Sequence, residues 1–168
     1  MSSPNESVRI ETATRSDVAV LLTLIRELAA YEHMSDQVIA TETDLTRALF
    51  SSRPEAEAVI AWRDNAAVGF ALYFQSFSTF VGRPGLYLED LFVRPVYRRR
   101  GIGRQLLAHL AQLAVARGCG RFEWSVLTWN KLAIGIYEKV EASPMNDWTV
   151  YRLSGNTLSA LASETQPT

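Results

Sequence analysis

The sequence predicts a mixed α/β fold, with a central sheet of mixed strand direction and helices on both faces. Two observations carry this. Apolar spacing switches between a two-residue and a 3.6-residue period along the chain, giving the order β-α-α-β-β-β-α-β-α-β. That order mixes tight hairpins with helical crossovers, unlike the regular alternation of a doubly wound sheet. A length of 168 residues suits one domain, and 48% hydrophobic against 21% charged residues leaves enough apolar surface for a sizeable core. The expected layout is a flexible tail over 1–7, one folded domain over 8–155, and a short helix and tail over 156–168.

Val8–Ala13 alternates weakly and reads as the first strand. Thr14 followed by Asp17 gives a capping-box start for a helix whose apolar stripe is Val18, Leu21, Leu22, Ile25, Leu28 and Ala29. A second helix is expected around Asp44–Phe50. Ala58–Trp62 and Val68–Phe74 flank a hairpin turn at Arg63-Asp64-Asn65-Ala66. A loop rich in Ser, Thr, Gly and Pro precedes the strand Gly85–Val93. Gly101 opens the strongest helix, lined by Ile102, Leu106, Leu107, Leu110, Leu113 and Ala114 and ended by Gly118 and Gly120. Arg121–Leu127 reads as a strand, Lys131–Val140 as a helix and Trp148–Leu153 as a last strand.

Charge excludes several classes of function. Seventeen basic residues against eighteen acidic ones argue against a broad cationic face for nucleic acid. A single cysteine, Cys119, excludes an internal disulfide framework and a cysteine-based zinc cluster, and no metal site is expected. The first residues lack the basic and apolar regions of a signal peptide, and Ala66–Gly82 is too polar to span a membrane, so a cytoplasmic protein is expected.

The distribution of charge is more informative. Arg94, Arg98, Arg99, Arg100 and Arg104 fall within eleven consecutive positions, where a strand runs into Gly101-Ile102-Gly103 and a helix. Unpaired N–H groups and the helix dipole make such a start favourable for anions, glycines allow close approach, and guanidinium groups suit phosphate. The third glycine of a dinucleotide fingerprint is replaced by Leu106, and the Gly-Lys-Ser/Thr of a P-loop is absent. A ligand with several phosphates, read by neither motif, is left.

Arg98-Arg99-Arg100-Gly101-Ile102-Gly103 resembles the Arg/Gln-x-x-Gly-x-Gly/Ala signature of the GNAT superfamily of N-acetyltransferases. The segments LAAYEHMSDQV, LYLEDLFV, and FEWSVLTWN followed by IYEKV resemble its spermidine/spermine (diamine) and thialysine acetyltransferase branch, in the same order, so that the likeness covers about residues 8–154. The resemblance implies acetyl-CoA as co-substrate. It implies that the backbone of Leu91, Phe92 and Val93 holds the pantetheine arm, that the loop Arg98, Arg99, Arg100, Gly101, Ile102, Gly103 and Arg104 wraps the pyrophosphate, and that Asn130 lies near the cofactor. It also implies that Tyr137 stands beside the cofactor sulfur, that Tyr31 and Glu32 line the amine site, and that the protein is a homodimer.

Moving acetyl from a thioester to an amine poses two proton problems. At pH 7 an alkyl ammonium of pKa about 10.4 is less than about 0.1% free base, and the departing thiolate gains from a nearby proton donor. Glu89 and Asp90 stand out in the apolar run Gly85–Val93, where carboxylates need a reason to be. Strict alternation sends them to opposite faces, and a bulge, which this family has here, loosens that rule. Glu89 is assigned as the base or ammonium-binding carboxylate because the family's acid stands there, the alternative being that it pairs with an arginine or caps backbone. Asp90 is placed with the substrate, and Tyr137 is the proposed acid for the thiolate. No nucleophile for an acyl-enzyme is evident, so direct attack in a ternary complex is expected.

Two departures from the branch matter. The loop Ser76-Phe77-Ser78-Thr79-Phe80 keeps an aromatic, Phe80, as a substrate residue but lacks the acid of the polyamine enzymes, which makes a shorter, lysine-like amine equally suitable. A turn glycine is replaced by Glu141, at a cost of roughly 1 kcal/mol if φ is positive there. The resulting expectation is acetyl transfer to a primary amine of a small molecule. The alternatives are a CoA-binding sensor or partner protein without turnover, and a protein-lysine acetyltransferase.

Overall fold

A computed structural model describes residues 7–164; the expected tail over 1–7 and the last residues fall largely outside them. Contacts divide the chain into two compact units, 1–136 and 137–168.

The first unit holds a five-stranded sheet among the described residues, in the order β1-β2-β3-β4-β5. Its strands are β1 (Arg9–Thr12), β2 (Glu57–Arg63), β3 (Ala66–Ser78), β4 (Arg83–Val93) and β5 (Arg121–Trp124). Neighbours from β1 to β4 are antiparallel, and β5 joins β4 in parallel after a crossover helix. The β2–β3 turn is made by Asp64 and Asn65, with Asp64 at φ 54°. β3 and β4 are longer than expected. The polar loop after Phe74 continues the ladder to Ser78↔Arg83, because the alternation Gln75, Ser76, Phe77, Ser78 suits a strand pair reaching beyond the core. Gly69 lies opposite Val93, and a Cβ there would stand 2.5 Å from the Phe92 carbonyl oxygen, so only glycine permits this approach.

Helices cover both faces. A 3₁₀ turn over Arg15–Asp17 leads into α1 (Val18–Tyr31); the N–H of Thr14 donates to Asp17 Oδ2 at 2.7 Å, as the capping box predicts, and its hydroxyl donates to the same oxygen at 2.7 Å. α2 (Glu42–Phe50) starts earlier than expected, because Thr41 and Asp44 form a second capping box. Leu21, Leu24, Leu28, Leu45 and Leu49 pack with Ala58, Ile60, Phe70 and Phe92 in one cluster. Val59 and Ala61, between those positions of β2, face the other way, toward the side of α3 (Ile102–Ala116), whose Leu106 and Leu110 are fully buried. α3 closes on Gly118 at φ 68°, with Cys119 N–H donating to the Ala114 carbonyl and Gly118 N–H to that of Val115.

α4 (Lys131–Lys139) follows β5, and α5 is Gly155–Ala162. α4 buries no residue fully; Leu132, expected on its apolar seam, is 41% exposed. The expected last strand, Trp148–Leu153, is not a strand. Its apolar members Trp148, Val150, Tyr151 and Leu153 are exposed, and alternation alone makes no strand without a partner to bond. Residue 141 has the positive φ that a turn glycine would suit: Glu141 is at φ 60°. No helix among the described residues is long and apolar enough to cross a membrane.

Candidate functional site

The site is built around an irregularity in β4. Leu72 pairs with Asp90 and Tyr73 with Leu88, which leaves Glu89 as the extra residue of a β-bulge. Without it Leu88 and Asp90 would share a face. With it Leu88 goes to the α3 side opposite Tyr73, while Asp90 shares the face of Leu72 and Phe92, beneath α1 and α2. Glu89 itself is exposed and forms no ion pair among the described residues, so the alternative of pairing with an arginine is not what the structure gives. The ladder to β5 also ends here. It covers Gly85↔Arg121 to Leu88↔Trp124, whereas the ladder to β3 runs on to Val93. From Glu89 onward, one edge of β4 has no strand beside it among the described residues, and Leu91, Phe92 and Val93 lie along that edge.

Three carboxyl groups meet beside this opening. The carboxyl of Asp90 is pushed up from its usual 3.8 to about 6, chiefly by burial, then by the charges of Glu89 and Glu32. Burial also raises the Glu32 carboxyl. Glu32 caps the C-terminus of α1, its N–H donating to the Leu28 carbonyl, and Tyr31 is the last helical residue. No group of three or more His, Cys, Asp or Glu among the described residues is arranged to hold a metal ion. The cluster is suited instead to a cation whose own N–H groups can donate to several carboxylates.

Beyond Val93 the chain passes a 3₁₀ turn, Pro95–Tyr97, into the arginine loop. Arg99 at φ 60° and Gly101 at φ 79° both adopt left-handed backbone, a conformation non-glycine residues reach only where the surroundings impose it. Gly101 caps α3 without a side chain. The first bond of that helix is from Gln105 N–H to the Gly101 carbonyl, so the N–H groups of Ile102, Gly103 and Arg104 have no partner within it. A fifteen-residue helix is aligned behind these groups, with Arg99, Arg100 and Arg104 around its start, and such a start favours an anion. A Cβ on Gly103 would meet Ile136 Cδ1 at 3.6 Å, so this turn packs against α4. These features fit a phosphate-bearing ligand with an extended chain that lies along the open edge of β4.

Two arginines of the run also make contacts within the protein. Arg94 forms a forked pair with Glu27 of α1, two hydrogen bonds of 2.8 Å, and donates a third of 2.8 Å to the Ala67 carbonyl. It ties α1 to the sheet, a role the sequence does not signal. Arg98 donates from Nε to the Val93 carbonyl at 2.8 Å and stacks its guanidinium on Tyr31, 4.2 Å from the ring centroid. Asn130 Oδ1 accepts from the Tyr31 hydroxyl and from the Ala133 N–H, both at 3.3 Å, and so caps α4.

The structure thus gathers Tyr31, Glu32, Glu89, Asp90, Leu91–Val93, Arg98–Arg104 and Asn130 in the first unit. It does not gather Phe80 with them. Phe80 is 97% exposed at the β3–β4 turn, and the six residue steps from Arg83 to Glu89 span roughly 20 Å. Tyr137 lies on α4 as the first residue of the second unit, its carbonyl accepting from the Ala142 N–H at 3.0 Å.

The sequence matches the family model described as Acetyltransferase (GNAT) family over residues 24–141. Thialysine N-epsilon-acetyltransferase of Sus scrofa is 35% identical over 167 residues, covering 93% of this chain and 98% of the relative. L-ornithine N5-acetyltransferase NATA1 of Arabidopsis thaliana is 31% identical, covering 91% of this chain and 87% of that protein. Among solved structures, the integron cassette protein VCH_CASS6 from the mobile metagenome of V. cholerae superposes with a TM-score of 0.79 at 31% identity, over 94% of this chain and 99% of that one.

Proposed function

Since the chain belongs to the GNAT family of acetyltransferases, we propose that it transfers acetyl from acetyl-CoA to a primary amine of a small, lysine- or ornithine-like molecule. One observation carries this reading: the carboxyl cluster of Glu32, Glu89 and Asp90 lies where β4 loses its neighbour, on the strand that leads directly into the arginine loop. Cation and phosphate receptors then share one strand. The relatives named for thialysine and ornithine, together with the missing loop acid before Phe80, favour a short amine over a long polyamine.

In this reading the amine arrives as an ammonium and is held by Glu32 and Asp90. It gives up one proton to Glu89, directly or through water, which makes the nitrogen lone pair available. Holding the neutral amine ready at pH 7 is worth about 4 to 5 kcal/mol. The nitrogen attacks the thioester carbon, the new C–N bond forms, and the C–S bond breaks. The nitrogen sheds its second proton to the carboxylate or water side, and Tyr137 supplies a proton to the departing thiolate. Backbone groups of Leu91–Val93 orient the thioester, so reaction is direct and leaves no acyl-enzyme.

The test is release of CoA thiol at pH 8 across putrescine, spermidine, thialysine, lysine, ornithine, small monoamines and a lysine peptide. Fastest release with thialysine, lysine or ornithine supports the reading. Preference for spermidine or for the peptide would replace the substrate. No amine-dependent release, with acetyl-CoA binding confirmed, would favour a CoA-binding sensor. Glu89→Gln and Tyr137→Phe are each expected to lower turnover by roughly 10²-fold; if neither does, the proton assignments fall.

A further inference from the structure

Arg98 differs from its neighbours in the loop. Its Nε–H is held by the Val93 carbonyl, its plane lies 4.2 Å over the Tyr31 ring, and the Phe92 ring is 5.7 Å away on the preceding strand. Its terminal Nη groups have no hydrogen-bond partner in the protein among the described residues. Tyr31 is fixed in turn: its hydroxyl donates to Asn130 Oδ1, and its ring packs 5.7 Å from that of Trp129, which also meets His33 at 6.0 Å. One cluster therefore joins the end of α1, the first arginine of the loop and the cap of α4. A long, rotamer-rich arginine is pinned in one orientation before any ligand arrives, which spares the ordering cost on binding.

We propose that Tyr31, which the family resemblance puts with the amine, is a positioning residue for the phosphates of acetyl-CoA, acting through Arg98. The proposal rests on the reading that residues 98–104 take those phosphates. Its consequence is that an amine-side residue controls affinity for the acetyl donor even when no amine is present. Binding at the two ends of the cluster is then coupled, and coupling of binding free energies is reciprocal.

The first measurement is CoA binding by calorimetry, without amine. Tyr31→Leu removes the ring and is expected to weaken CoA binding roughly tenfold, while Tyr31→Phe keeps it and stays within about twofold of the unaltered protein. The second uses acetylpantetheine, a donor without phosphates. The ratio of kcat/KM for acetyl-CoA to that for acetylpantetheine should fall roughly tenfold in Tyr31→Leu, any effect on the amine cancelling in the ratio. Arg98→Met should lower the ratio equally, and the double variant no further, as a shared pathway requires. An unchanged CoA affinity in Tyr31→Leu, an equal loss in Tyr31→Phe, or additive losses in the double variant would overturn the proposal while leaving the acetyltransferase reading intact. If the unaltered protein bound no CoA, the phosphate reading would fail and take the proposal with it.

Discussion

A carboxyl group set on the covered face of a sheet, with two more carboxyls at hand, resists ionisation, and Asp90 is in that position. Its folded-state pKa of about 6 lies above the usual 3.8, so its contribution to stability is complete below about pH 4 and is lost as pH rises through 6. Asn cannot ionise. The difference in Tm between the unaltered protein and Asp90→Asn should therefore shift against the unaltered protein between pH 4 and 7, and parallel curves would refute the assignment. On the proposed function the ionised form binds the ammonium, so the acidic limb of kcat/KM near pH 6 should vanish in the same variant. The pair Glu89-Asp90 was visible in the sequence as misplaced charge. Which of the two is the exposed bulge residue and which is covered was not, because that depends on the register β3 imposes. Glu141 was easier to read: its φ of 60° agrees with the missing turn glycine. Glu141→Gly should raise stability by roughly 0.5 to 1 kcal/mol in urea denaturation, with turnover unchanged.

The helices show what a sequence signals well and what it hides. α1, α3 and α4 end in one motif, in which the residue two past the C-cap donates to a carbonyl five residues back: Met34 to Ala29, Cys119 to Ala114, Ala142 to Tyr137. Only α3 places a glycine at the left-handed position. His33 and Glu141 fill it in the others, so only the end of α3 was plain in the sequence. The capping box of Thr14 and Asp17 was read correctly, whereas that of Thr41 and Asp44 went unrecognised and the start of α2 was set two residues late. Arg94 counts among the five arginines of the run, and proximity in sequence does not show that it is a strut. Arg94→Ala, which removes three hydrogen bonds made by a charged donor between α1 and the sheet, should cost roughly 2 to 3 kcal/mol of stability. CoA affinity should change little, and a tenfold loss without destabilisation would place Arg94 at the phosphate site instead.

Across the whole molecule, the mixed sheet with helices on both faces was legible because hairpins and crossovers leave different periodicities. The expected strand Trp148–Leu153 shows the limit of that reasoning: alternation records which side chains are apolar, not whether a neighbouring backbone is there to bond. One feature of the sheet has implications for handling the protein in solution. Its two outermost strands, β1 and β5, are each four residues long, and each carries an arginine and a glutamate two positions apart on one face. Arg9 lies 3.7 Å from Glu11 and Arg121 lies 2.7 Å from Glu123. Bare strand edges invite copies to join end to end, and short edges bearing charge discourage it. Each margin presents both signs, so an approaching copy meets like charges in one register and must desolvate an existing pair in any other. Replacing Arg121 and Glu123 by valine should leave folding cooperative but lower the concentration at which light scattering appears on gentle warming.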